Sequence, residues 1–79
     1  MKHWTCVCTD GSRDILAVVA VTELGDGQLN IAVASRAGAK CEPGKWIVAT
    51  AQDRAVKWAE GLVGRKLVPS RWAEVGITP

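Results

Sequence analysis

Apolar and polar residues alternate with a period of two at the start of the chain. In HWTCVCT, residues 3–9, Trp4, Cys6 and Cys8 fall on one side and Thr5, Val7 and Thr9 on the other, the pattern of a strand with one face against a core. DGSRD, residues 10–14, follows with turn chemistry, because Asp10–Gly11 favours positive φ and Ser12 can bond the local backbone. ILAVVAVTEL, residues 15–24, admits two readings. Ser12 and Asp14 before it and Gly25 after it suit helix boundaries, whereas Ile15, Val18, Val19, Val21 and Thr22 are β-branched and prefer a pleated strand. The next stretch decides between them: LGDGQ is a hairpin signal, and LNIAVAS alternates with Leu29, Ile31 and Val33 on one face. A hairpin needs two strands, so 15–22 is read as a strand. It is apolar on both faces and is therefore expected to be central, covered on at least one side.

AGAKCEPGK, residues 37–45, mixes glycine, proline and charge and reads as a mobile loop. WIVA, residues 46–49, fits either a short strand or the first turn of a helix. From Ala51 the period becomes helical, with Ala51, Ala55, Trp58, Ala59 and Leu62 in one stripe and Gln52, Arg54, Lys57 and Glu60 around it. Thr50 is the expected N-cap with Asp53 three residues on, and Gly64 the expected stop. Gly61 inside this helix costs roughly 1 kcal/mol relative to Ala unless a neighbour approaches closely there. VPSRWAEVG, residues 68–76, is expected to form one short helical turn around Trp72. No repeat, low-complexity stretch or linker divides the sequence, so residues 1–79 are read as a single domain. The expected fold is α+β: a small antiparallel sheet of three or four strands, one main helix across it held by Trp58, and the short C-terminal helical turn.

Composition sharpens this picture. At 79 residues and 48% hydrophobic, the chain has enough apolar surface to fold, with a small core. It has four Trp and neither Phe nor Tyr, so the indoles must supply most large apolar contacts. Trp4, Trp46 and Trp58 are assigned to the core, and Trp72, beside Arg71, is expected to be partly exposed. This usage suits the codon economy of a GC-rich bacterium or its phage. The longest strongly apolar run, ILAVVAV, falls far short of the ~20 residues of a membrane span. MKHW does not open a secretory signal, and three cysteines fit reduced thiols better than a disulfide framework. A cytoplasmic location is expected.

The net charge of +2 is unevenly distributed. In residues 1–35, Lys2 and Arg13 stand against Asp10, Asp14, Glu23 and Asp26, a net of −2; residues 36–79 carry eight Lys or Arg against Glu42, Asp53, Glu60 and Glu74, a net of +4. A basic second half suits an acidic partner, although a solvated helix surface would look the same.

His3, Cys6, Cys8 and Cys41 are four potential zinc ligands. Two cysteines separated by one residue on a strand point the same way but lie nearly 7 Å apart, and His3 points to the opposite face. Cys6 and Cys8 are better read as small core residues beside Trp4, so neither metal nor cofactor is expected. Cys41 with His3 is the only Cys–His pairing with an exposed thiol, and a single terminal His is a poor general base. GAKCEPGKW lacks the spacing of a phosphate loop. No catalytic residues are assigned. A sheet-led nucleic-acid mode needs outward cations or aromatics, whereas the outward strand positions are Thr, Ala, Asn and Val. A helix-led mode has Arg54, Lys57, Arg65, Lys66 and Arg71, interrupted by Asp53 and Glu60.

The hairpin-rich ILAVVAVTELGDGQLNIAVAS followed by one amphipathic helix in TAQDRAVKWAEGLVGRK resembles, in size and layout, the small phage-encoded anti-CRISPR inhibitors. The resemblance spans the whole chain and carries no motif, so it assigns no residue. It implies a cofactor-free protein that binds a CRISPR effector complex or its nuclease; the basic second half departs from the acidic, DNA-mimicking variant. The resulting expectation is a non-enzymatic, stoichiometric protein binder, monomer or homodimer, contacting a host protein complex through Arg54, Lys57, Arg65, Lys66, Arg71 and Trp72, with residues 38–45 as accessory. The alternative is a small DNA- or RNA-binding protein using the same basic residues.

Overall fold

In the computed structural model of the chain, which describes residues 1–76, the alternating segments assemble into one antiparallel sheet. β1 (Lys2–Thr9) pairs with β2 (Ile15–Gly25), β2 with β3 (Gln28–Ser35), and β3 with β4 (Gly38–Gly44). After α1 (Val48–Val63), two short strands, β5 (Val68–Pro69) and β6 (Ala73–Gly76), lie end to end along the outer edge of β1. The order is β4-β3-β2-β1-β5, with β6 also on β1. The ambiguous segment 15–22 is thus a central strand, as its two apolar faces require. The β2–β3 hairpin closes through Asp26 and Gly27 at φ of 55° and 73°, the pair of positive values that a tight primed turn demands.

Register sorts the side chains. Trp4, Cys6 and Cys8 of β1 lie beside Val21, Val19 and Ala17 of β2, and Val21 and Val19 lie beside Ile31 and Val33 of β3. Apart from the half-buried Trp4, these side chains are all buried. α1 covers that face, resting mainly on β2 and β3. Its fully buried residues are Ala51, Ala55 and Ala59, a four-residue repeat of methyl groups that lets the helix axis approach the sheet closely. Trp58 and Leu62 are half-buried beside this stripe, so the expected role of Trp58 as main anchor passes to the three alanines. Gly64 ends the helix at φ 82°. The backbone N–H of Leu67 then donates to Glu60 Oε2 at 2.9 Å, which returns the chain so that Leu67 completes the core.

Four expectations are corrected. Among the described residues the strands number six, the last two of them short, rather than three or four. Residues 38–44, read as part of a loop, form edge strand β4; its Lys40, Glu42 and Pro43 are the devices that keep an open edge from pairing with other chains, and they are also what makes a strand look like a loop. The segment 68–76 forms β5 and β6 instead of a helical turn, because the outer edge of β1 would otherwise leave backbone groups unpaired. Ser70 between them donates N–H to Val7 O at 2.8 Å and accepts from Val7 N–H through its hydroxyl at 3.0 Å. Finally, the helix begins at Val48 with Ile47 as N-cap and no side-chain cap bond, leaving Thr50 inside the first turn. Ile47 O receives Ala51 N–H at 3.0 Å directly.

The alanine stripe makes a quantitative prediction. Ala55→Leu forces the extra atoms into a contact with no free surface and should lower unfolding stability by about 1–3 kcal/mol in urea titration; unchanged stability would show that the helix is free to ride outward.

Burial also pushes the Cys8 thiol up from 9.0 to about 11, with the neighbouring Cys6 adding to the shift. The unfolded chain releases this proton near pH 9.0 and the native chain near 11, so native structure loses stability as pH rises across that window. The full loss is on the order of 2–3 kcal/mol. Thermal melts of Cys8→Ala should therefore fall less steeply than wild type above pH 9.0; identical slopes would assign the alkaline loss to other groups.

Candidate binding surface on the helix flank

The helix is narrower than the sheet it covers, and its β4 flank is where aromatic and basic side chains meet. Arg54, Trp58 and Gly61 follow one another at three- and four-residue spacing on the side of α1 next to the alanine stripe, with Lys57 adjoining. From the sheet, Lys40 lies opposite Val33 in the β3–β4 register and so rises on the helix side. Its ammonium stands 3.9 Å from the centre of the Trp58 ring, close enough for a cation–π contact. Trp46, on the short connection between β4 and α1, meets Trp58 edge to face with ring centres 6.5 Å apart and planes at 83°, the arrangement that ring quadrupoles favour. The Arg54 guanidinium lies 5.6 Å from the Trp46 ring. A Cβ on Gly44 would overlap the Trp46 indole, so glycine there is what lets the ring fold back over the end of β4.

Trp58 separates two shallow hollows. One is lined by Thr50, Asp53, Arg54 and Lys57, the other by Lys40, Lys57, Gly61 and Leu62. Lys40, Arg54 and Lys57 therefore surround a partly exposed indole pair, and Asp53, Glu42 and Glu60 are the carboxylates nearest in sequence to that group. The arrangement provides flat apolar area with positive charge around it. That combination suits an acidic surface with an exposed apolar or planar group.

The residues singled out in the sequence do not form one stripe. Arg54 and Lys57 come together at this site. Arg65 turns away past Gly64 to pair with Asp10 Oδ2 at 3.4 Å in the β1–β2 turn, where hydrogen bonds from Ser12, and the Arg65 charge less strongly, hold the Asp10 carboxyl below its usual range. Lys66 is exposed beside it. Arg71 and Trp72 lie on the β1 side of the sheet, at the opposite edge from β4; Trp72 is half-buried and packs on the core. Of the accessory segment 38–45, Lys40 is the residue that reaches the site. Its period-two alternation with Glu42 was the available signal.

The potential zinc ligands are likewise dispersed. Cys6 and Cys8 are buried on the helix side. His3 Nδ1 bonds Thr22 Oγ1 at 2.7 Å on the opposite face of the sheet. On that face too, the Cys41 thiol meets the Asn30 amide group at 3.2–3.3 Å. Among the described residues, no three His, Cys, Asp or Glu side chains gather in a group able to hold a metal ion. No helix among them is long and apolar enough to cross a membrane.

Comparison with known proteins yields no match: no family model fits the chain, and neither curated proteins nor solved structures produce a relative.

Gly61 lies in open surroundings, with nothing within 4 Å of where a Cβ would stand. The close neighbour that would justify a mid-helix glycine is therefore absent among the described residues. Gly61→Ala should raise unfolding stability by about 0.5–1 kcal/mol, measured by urea titration; destabilisation would reveal a constraint on the helix that the packing does not account for.

Proposed function

We propose that the chain is a non-enzymatic docking module that binds an acidic protein surface stoichiometrically through the β4 flank of α1. The observation that carries this reading is the indole pair of Trp46 and Trp58, partly exposed and surrounded by Lys40, Arg54 and Lys57. Tryptophan and arginine are the residue types that dominate binding energy at protein interfaces, and surrounding cations speed and orient encounter with an acidic partner. In this reading the contact set is Lys40, Arg54, Lys57 and Trp58, while Arg65 serves the β1–β2 turn and Arg71 and Trp72 form a separate, secondary patch. The biological role proposed is inhibition of a host complex that processes nucleic acid, by occupying one of its acidic surfaces.

A second reading uses the same residues. A base stacked on Trp58 with phosphates on Lys40 and Lys57 would make a short single-strand site. Asp53 and Glu42 interrupt a longer phosphate path, which is why the protein partner is preferred.

Affinity capture from lysate of a GC-rich bacterium, with and without nuclease, separates the two. A stoichiometric protein that survives nuclease and is lost with Lys40→Glu/Lys57→Glu supports docking at this flank, and Arg65→Glu should retain it. Recovery that nuclease abolishes would replace the protein partner with nucleic acid, whose binding should then weaken steeply with salt. Recovery unaffected by the double substitution would remove the site.

A further inference from the structure

Among the described residues, α1 covers one face of the sheet and leaves the other open. We infer that this open face is the contact surface of a two-fold homodimer, in which two copies of the chain pack sheet against sheet with their helices outward.

The first support is the placement of charge. Among the described residues, the strands carry five charged side chains, Lys2, Glu23, Lys40, Glu42 and Glu74. The register puts all five on the helix side, through the pairs Lys2–Gly76, Trp4–Glu74, Glu23–Leu29, Ile31–Glu42 and Val33–Lys40. The open face presents instead Thr5, Val7, Val18, Ala20, Ala32 and Ala34 at the centre of its three central strands, with the uncharged polar side chains of Thr9, Thr22, Gln28 and Asn30 and the imidazole of His3 around them. Val18 is 45% exposed there. A sheet face that meets water normally alternates to charged and polar residues, so this face has the chemistry of one that is covered. Arg36, in the turn between β3 and β4, borders it at one end beside Ile15, Val18 and Ala34 and supplies a charged rim.

The second support is that several polar groups on the face already have partners within it, Thr5 and Gln28 being the exceptions. His3 is bonded to Thr22 and Asn30 to Cys41, and Thr9 Oγ1 accepts the Gly11 N–H at 3.2 Å. Covering these paired groups costs less than covering unpaired ones, and the Thr5 hydroxyl and Gln28 amide are left to be met across the contact.

The occupant follows from the same features. The strands of this face carry no Lys or Arg for phosphates, Arg36 standing only at one end, and no Asp or Glu for a basic partner. Its side chains are short, so its relief is low, and it needs a flat, uncharged counterpart. The chain itself presents such a surface, and a two-fold axis matches it to its own copy without opposing like charges. Five strand positions at about 4.8 Å and six or seven residues at about 3.3 Å give roughly 500 Å² of flat area per copy. Side-chain corrugation increases this, placing the pair near the lower limit of about 1,200 Å² total for specific interfaces. A reversible dimer is the expected result. It would leave the Trp58 flank of each copy exposed, so the docking module would be bivalent.

Sedimentation equilibrium from about 5 µM to about 1 mM tests this. The expected result is a mass rising from 8.4 kDa towards twice that value, with Val18→Lys remaining at 8.4 kDa throughout while its circular dichroism stays native. A chain that is a single copy at about 1 mM overturns the proposal and leaves the face to a different protein. A dimer that survives Val18→Lys also overturns it, placing the contact at a strand edge. The wild-type chain supplies a readout independent of that variant. Alkylation of the exposed Cys41 should slow at least about fivefold as the dimer fills, and a rate independent of concentration contradicts a covered face.

Discussion

The structure depends on one close contact, the alanine stripe of α1 against the valines and isoleucine of β2 and β3. Ala51, Ala55 and Ala59 have no exposed surface, and only methyl side chains at that spacing allow a helix to come down onto Val19, Val21, Ile31 and Val33. A single helix of 16 residues resting on two strands cannot shield a sheet five strands wide. The margins must be filled from elsewhere. On the β1 side Trp4, Trp72 and Leu67 do so, and on the β4 side Trp46 and Trp58. The unusual composition, many alanines with four Trp and no Phe or Tyr, follows the same geometry, with the smallest side chain under the helix and the largest beside it.

The two margins differ in how completely they close. On the β1 side, Leu67 is carried inward by its bond to Glu60 and becomes fully part of the core. On the β4 side the sheet ends, and among the described residues no further element covers Trp58. Its indole packs on the core and is only partly exposed, where Lys40 lies over it and Lys57 flanks it. The aromatic surface flanked by cations therefore arises where coverage by the helix runs out, at the edge strand whose charged and proline residues also guard it against unwanted pairing.

The same economy explains the other face. Among the described residues there is one helix, the second side of the sheet has no covering layer, and yet the strands carry no Lys, Arg, Asp or Glu there. A solvated face would be expected to collect some of the charge that β1, β2, β4 and β6 place exclusively on the helix side. This segregation gives the molecule one charged, aromatic surface and one neutral, low-relief surface, and the two are suited to different kinds of contact.

Local pattern was sufficient for the parts of the fold that rest on local physics. Period-two alternation placed β1 and β3, the Asp26–Gly27 pair placed the hairpin, and the demand for a partner strand settled residues 15–22. The helical stripe and Gly64 located α1 to within a few residues at its start. Long-range pairing decided the rest. β4 could not be distinguished from a loop because the residues that protect a sheet edge are those that populate loops. β5 and β6 exist because the outer edge of β1 needs partners, a requirement that nothing within residues 68–76 expresses. For the site, helical spacing placed Arg54 and Lys57 together, but whether Arg65 and Arg71 joined them depended on where the chain turned after Gly64. Lys40 entered the site only through its register with Val33. The chain's own sequence determined its elements through side-chain periodicity and turn chemistry; which of its basic and aromatic residues share a surface was decided by strand pairing, because backbone hydrogen bonds at the edges had to be satisfied across long separations in sequence.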